Sequence, residues 1–130
     1  MKRIGVISDT HGCFDETLRN FLRDVDEIWH AGDIGDLSLY NKLLACKPLR
    51  AVVGNIDGYP LRQMLPVVNT FEVENVRVLL THIGGYPGKY APGILPQLRA
   101  NNTTLFISGH SHILKVMFDA KLNLLHINPG

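Results

Sequence analysis

The stretch Arg3-Ile4-Gly5-Val6-Ile7-Ser8-Asp9-Thr10-His11 decides the fold. Its apolar run is short and stops abruptly at polar residues, the pattern of a strand buried on both faces. Asp15 then stands as an N-cap, and Leu18, Phe21, Leu22 and Val25 recur at helical spacing. That spacing predicts a helix packed on a sheet. Glu27–His30 reads as a second strand, closed by Gly32-Asp33. Ser38 is the expected cap of a second helix with Tyr40, Leu43 and Leu44 on one face, and Pro48 ends it because proline cannot continue the hydrogen-bond ladder. Ala51–Val53 reads as a third strand, closed by Gly54-Asn55. Strand–helix alternation of this kind predicts a parallel sheet with right-handed crossovers.

The second half of the chain changes character. Val67–Val73 and Val76–Thr81 flank Glu74-Asn75, which reads as a hairpin turn. Gly84–Pro96 is rich in Gly, Pro and Tyr and reads as a surface loop, overlapping a short helix over Ile94–Ala100. Thr104–Ser108, Val116–Phe118 and Leu122–Ile127 complete a run of strands. No repeat, linker or low-complexity tract interrupts the 130 residues, so a single domain over 1–130 is expected.

Composition narrows the function. Hydrophobic residues make up 45% and charged residues 19%, which excludes disorder as the resting state. Thirteen Lys+Arg against twelve Asp+Glu leave a formal charge of +1, so there is no strong nucleic-acid signal. Two cysteines, Cys13 and Cys46, are too few for a disulfide framework and read as reduced thiols. The first apolar run falls short of the about 7–15 residues of a secretory core, and nothing approaches the about 18 of a membrane helix. A cytoplasmic protein without a membrane partner is expected.

The informative feature is where the polar residues sit. Asp9 and His11 follow the first strand, Asp33 the second and Asn55 the third; His82 follows Thr81, and His110 and His112 follow Ser108-Gly109. In a largely parallel sheet the C-terminal strand ends share one edge, where open α/β proteins build their sites. Imidazoles and carboxylates suit divalent Mn, Fe, Zn, Co or Ni. Seven such groups are too many for one catalytic ion, which takes three or four protein ligands. They suit two ions about 3.5–4 Å apart that share a carboxylate.

Asp9-Thr10-His11, Gly32-Asp33, Gly54-Asn55, Thr81-His82 and Gly109-His110-Ser111-His112 resemble the five blocks of the calcineurin-like metallophosphoesterases, in their small bacterial and archaeal phosphodiesterase branch. The resemblance runs from the first strand to Asn128-Pro129-Gly130. It implies an α/β sandwich of two mixed sheets flanked by helices. It implies that Asp9, His11 and His112 bind one ion, that Asn55, His82 and His110 bind the second, and that Asp33 bridges them. The cofactor implied is a pair of divalent ions, manganese first, with nickel, iron, zinc or cobalt as alternatives. The activity implied is hydrolysis of a phosphate ester, a phosphodiester before others, by attack of a hydroxide bridging the ions. Asp33, Asn55 and His82 are the expected catalytic residues. Asn55 and Lys89 are the expected substrate-binding residues, Lys89 as a point charge in the loop with Tyr86 and Tyr90.

Two departures stand out. Many family members place His after the Asn of the third block, where it is a candidate proton donor to the leaving group. Here the block reads Gly54-Asn55-Ile56-Asp57, and Ile56 has no proton to give. General acid catalysis is worth about 10²–10⁴-fold, so poor leaving groups should suffer most. Asp57 is expected to fix the turn or to hydrogen-bond a neighbouring ligand. Family members also continue past a motif like Asn128-Pro129-Gly130. The expectation is C-terminal truncation, or a homodimer covering an unpaired strand edge. Two alternatives stay open: a phosphomonoesterase, or a non-catalytic scaffold of the kind the same fold provides in a retromer subunit. Trp29 reads as core, and His30 and His126 as hydrogen-bonded structural residues.

Overall fold

The apolar runs of the first half become strands β1 (Ile4–Ile7), β2 (Glu27–His30) and β3 (Leu49–Ala51) in a computed structural model describing residues 1–130. They pair in parallel in the order β1-β2-β3. Helices α1 (Glu16–Phe21) and α2 (Leu37–Cys46) connect them, and a single-turn helix, α3 (Leu61–Met64), follows β3. The second half forms β4 (Val68–Val73), β5 (Val76–Thr81), the two-residue strands β6 (Gly85–Tyr86) and β7 (Lys89–Tyr90), α4 (Ile94–Ala100), β8 (Leu105–Ile107), β9 (Lys115–Asp119) and β10 (Leu124–Asn128). Five of these strands make one sheet in the order β4-β5-β8-β10-β9, antiparallel at both edges and parallel at its centre. Two sheets flanked by helices are thus formed as expected; the larger is mixed, and the smaller is parallel throughout.

Period-two alternation sends side chains into three apolar layers. Ile4, Val6 and Trp29 from the small sheet meet Phe71, Val78, Leu80, Leu105 and Ile107 from the large one, and this is the sandwich interior. Ile7, Ile28 and Ala51 face the other way and are covered by Leu22, Leu39, Leu43 and Leu61. On the far side of the large sheet, Leu79, Phe106 and Leu124 are covered by Ile94 and Leu98 of α4. No helix is long and apolar enough to cross a membrane.

Several local expectations shift. Asp15 does cap α1, accepting from the Leu18 amide at 2.9 Å, but α1 ends at Phe21. Phe21 is exposed, and Leu22 alone of the expected face is buried. Helix α2 is capped by Asp36, which accepts from the Leu39 amide at 2.8 Å, and not by Ser38. Starting the helix two residues earlier puts Leu39 and Leu43, four apart, against the sheet and leaves Leu44 exposed. Strand β3 ends at Ala51, although Val52 and Val53 stay buried, their amides donating to His30 and Pro66 carbonyls at 3.1 and 2.9 Å. The Gly84–Pro96 loop contains the β6–β7 ribbon. The Glu74-Asn75 turn is as expected, both residues taking positive φ (49° and 68°) between β4 and β5.

Candidate metal centre

All seven residues singled out at strand ends lie on one edge of the sandwich. The loop after β1 is laid along the loop after β2: the Asp9 amide donates to the Gly32 carbonyl at 2.9 Å and the His11 amide to the Asp33 carbonyl at 3.0 Å. The loop after β8 is tied to the end of β5 by Gly109 N–H to His82 O at 2.9 Å. The Asn55 loop comes so close to Asp33 that a Cβ on Gly54 would lie 2.1 Å from the Asp33 amide nitrogen and Oδ1. Only glycine permits that approach.

Two clusters result. Asp9, His11 and His112 bring their ligand-type atoms within 4.8 Å of one another, and so do Asp33, His82 and His110. Asp33 Oδ2 faces both, 3.6 Å from His11 Nε2 and 3.2 Å from His82 Nε2. Asn55 Oδ1 joins the second cluster at 2.8 Å from His82 Nε2 and 3.1 Å from His110 Nδ1. The two carboxylates are 2% and 3% exposed, whereas the His11 and His112 side chains are 42% and 57% exposed. The arrangement is a buried anionic floor beneath an open rim of imidazoles.

The donor set fits cations. The His82 Nδ1–H must donate to the Ala31 carbonyl, 2.8 Å away, because a carbonyl only accepts. In the neutral ring Nε2 then carries the lone pair, pointed at Asp33 Oδ2 and Asn55 Oδ1. Three acceptors meeting at one point repel until a cation enters. Fixing a ring nitrogen through a backbone carbonyl is also how metal-binding histidines are oriented. Asp9 makes the same case. Its Oδ2 accepts from the His110 amide at 3.1 Å. Its Oδ1 is buried with no hydrogen-bond partner, 3.3 Å from His112 Nε2, 3.8 Å from His82 Nε2 and 3.9 Å from His11 Nε2. A buried, unpartnered carboxylate oxygen costs free energy unless a charge compensates it. Asp9, His11 and His112 could hold one ion, and Asp33, Asn55, His82 and His110 a second.

A supporting layer holds these loops. The buried Asp57 carboxylate accepts from three amides, Gly35 and Gly54 at 2.9 Å and Ile34 at 3.2 Å. It thereby pins the Asp33 and Asn55 loops together, the turn-fixing role expected of it. Arg62 was not singled out from the sequence. Its guanidinium donates to the Asp57 carbonyl at 2.9 Å and the Gly54 carbonyl at 2.8 Å. Asn128 Nδ2 donates to the Gly109 carbonyl and the Ser111 hydroxyl, both at 3.0 Å, which secures the His110–His112 turn. His30 is structural, as read: Nδ1 accepts from the Gly32 amide at 3.1 Å, so Nε2–H donates to Thr10 Oγ1 at 2.9 Å, and Thr10 donates onward to the Ile34 carbonyl at 3.0 Å. Burial pushes the His30 pKa down to about 4, outweighing the opposing pull of Asp57 and Asp9. The ring is neutral, as that relay requires.

Lys89 and Tyr86 do not join either cluster. They line a cavity of about 360 Å³ whose wall also includes His110. Tyr90 donates its hydroxyl to Asp119 at 2.6 Å and braces the β6–β7 ribbon against β9. Trp29 is buried, its indole N–H donating to Glu27 Oε1 at 2.9 Å. Cys13 and Cys46 are free thiols.

Comparison with known proteins matches this arrangement to a family. The profile of the calcineurin-like phosphoesterase superfamily domain fits residues 1–130. A probable metallophosphoesterase of Methanothermobacter thermautotrophicus is 35% identical over 138 residues, covering 98% of this chain and 75% of that protein. Among solved structures, vacuolar protein sorting 29 from Cryptosporidium parvum has a TM-score of 0.80 at 19% identity, covering 99% of this chain and 74% of the other. A novel archaeal phosphodiesterase has a TM-score of 0.72 at 21% identity, covering 98% of this chain and 83% of the other. At these identities the two structures speak for the fold alone.

Proposed function

We propose that this chain, which belongs to the calcineurin-like phosphoesterase superfamily, hydrolyses phosphodiester bonds with the help of two divalent cations. The observation that carries the reading is the convergence of lone pairs: Asp9 Oδ1 is buried without a partner, and Asp33 Oδ2 faces both imidazole clusters. Two cations, when bound, neutralise phosphate charge and generate a nucleophile from water near neutral pH. The chain's own residues do the rest. Asp33 is placed to be shared between the clusters, and Asp9, His11 and His112 flank it on one side. Asn55 turns Oδ1 toward His82 and His110, which leaves its amide N–H groups for a phosphoryl oxygen. His82 is locked in one tautomer by Ala31. Two carboxylates among seven groups leave the loaded site positively charged, which favours an anionic ester.

Position 56 argues for reactive esters. Ile56 is exposed beside Asn55 and cannot protonate a leaving group, so esters of acidic alcohols are the expected good substrates. Manganese is the first ion to test because the family resemblance implies it. The test is metal content and turnover together. Manganese-loaded protein should carry two ions per chain and cleave bis(4-nitrophenyl) phosphate, and Asp33→Asn should lose at least a hundredfold in rate. Full turnover in Asp33→Asn would remove the shared carboxylate from the mechanism.

A second reading, a non-catalytic interaction scaffold, is supported by one feature. Val116 and Phe118 are exposed on edge strand β9, and Leu114 is exposed just before it. Metal uptake separates the two: a protein that binds no ion under any loading condition would support the scaffold.

A further inference from the structure

His126 does more than its sequence context suggests. It lies on β10, on the same face as Leu124, and its ring packs on Phe106 with centroids 4.9 Å apart and planes 32° apart. Nδ1 sits 3.1 Å from the Phe106 carbonyl, so the proton is on Nδ1 and Nε2 carries a lone pair. That nitrogen has no partner within the chain. The residue is 1% exposed, yet it lines the 360 Å³ cavity beside His110. Burial pushes its pKa below the usual histidine value, outweighing the Phe106 hydrogen bond.

The cavity around it has a definite chemistry. Tyr86, Ala91 and Ile113 give it apolar walls, Lys89 and Lys115 give it positive charge, and no carboxylate lines it. The Lys115 ammonium is 3.9 Å from the centre of the Tyr86 ring. The volume lies at the small end of the range for small-molecule sites, about 300–1,000 Å³. His110 belongs to both the cavity wall and the candidate metal centre, so the two adjoin.

We propose that this cavity is the specificity pocket for one ester arm of the substrate, a compact aromatic or heteroaromatic group carrying an N–H or O–H donor, and that His126 Nε2 accepts that donor's hydrogen bond. The proposal rests on the phosphodiesterase reading and adds to it the class of the arm. An arm with a donor hydrogen-bonds this nitrogen where it meets the cavity, whereas an arm of equal size without one displaces water from it and leaves it unpaired. Sites that aim an acceptor at the substrate discriminate on that basis.

The test pairs two chromogenic diesters, 4-nitrophenyl 3-aminophenyl phosphate and 4-nitrophenyl 3-methylphenyl phosphate, with the manganese-loaded protein, diamagnetic zinc replacing manganese only for NMR. Wild type should prefer the amino ester by about five- to tenfold in kcat/KM. His126→Phe should bring that ratio to about one, and His126→Gln, which keeps an acceptor, should retain part of it. Independently of any variant, the His126 Nε2 resonance in ¹⁵N-histidine-labelled protein should move on titration with 3-aminophenylphosphonate and stay put with 3-methylphenylphosphonate. Equal cleavage of the two esters by wild type, or a preference that survives His126→Phe, overturns the pocket and leaves the phosphodiesterase reading standing. A loaded protein that shows the Nε2 shift but cleaves neither ester supports the pocket and overturns the phosphodiesterase reading.

Discussion

Removing the Asp57 carboxylate should loosen half of the site without touching any group proposed to hold an ion. Asp57 is 1% exposed and accepts from the Ile34, Gly35 and Gly54 amides at 2.9–3.2 Å. Hydrogen bonds to a charged group are worth about 1.5–3 kcal/mol each, and a buried donor left alone costs about 1–3 kcal/mol. Three such donors sum to more than single substitutions show, because water enters the vacated space and the loops relax. A loss of about 3–5 kcal/mol is therefore expected for Asp57→Ala. That is a large share of the about 5–15 kcal/mol that holds a typical domain folded. Asp57→Asn keeps one acceptor oxygen but turns an NH₂ toward an amide, and about half that loss is expected. The two clusters should respond unequally. Asp57 clips the loops bearing Asp33 and Asn55, so the second ion should weaken by about 10–100-fold, the usual effect of losing an outer partner. The site at Asp9, His11 and His112 should change far less. Urea unfolding of metal-free protein gives the first number and calorimetric metal titration the second. An Asp57→Ala protein within 1 kcal/mol of wild type, with both ions bound as before, would refute the clip.

Three further outcomes are expected. Gly54→Ala should displace Asp33, since its Cβ would fall 2.1 Å from Asp33 atoms, and should lower both stability, by about 1–3 kcal/mol, and metal content; Gly58→Ala, with nothing within 4 Å of its Cβ, is the matched control. His30 should make stability pH-dependent. Its pKa falls from 6.5 unfolded to about 4 folded, so its contribution is complete above pH 6.5 and is lost as pH falls toward 4, about 3 kcal/mol in all. Urea titrations of metal-free wild type and His30→Gln across that window should diverge in slope. Val116 and Phe118, exposed on edge strand β9, should drive homodimerisation, and Val116→Lys with Phe118→Lys should leave a monomer by light scattering.

The candidate centre was legible because its residues sit where apolar runs stop, and in a parallel sheet those stops share an edge. Asp9, Asp33, Asn55, His82, His110 and His112 needed no side-chain detail to be grouped. What escaped depends on contacts distant in sequence or on windows too short for a period to show. Helix α3 has four residues, barely one turn, so no repeat marks it. Arg62 acts by reaching back to the Gly54 and Asp57 carbonyls, and nothing in its neighbours announces that. Asp36 and Ser38 are both competent caps two residues apart, and the packing of Leu39 and Leu43 against the small sheet chose between them. His126 was placed on its strand correctly, but the cavity it lines exists only because the Gly84–Pro92 segment folds beside β10.

Backbone conformation gives a separate argument that the edge is built for its side chains. Asp9, His11, Asp33, His110 and His112 all take positive φ, between 50° and 73°. Left-handed backbone is costly for most residues with a Cβ, least so for Asn, Asp and His, and nearly free for glycine. Glycine is used freely at neighbouring turns, at Gly12, Gly32 and Gly35, where no side chain is needed. Five turns that keep Asp or His where glycine would be easier are therefore holding those side chains at a price in stability. A fold serving only as a docking platform would gain by replacing them. The cost is recovered only if something binds the buried carboxylates and the imidazoles around them, which is why metal content decides between the enzyme and the scaffold more sharply than any measurement of stability.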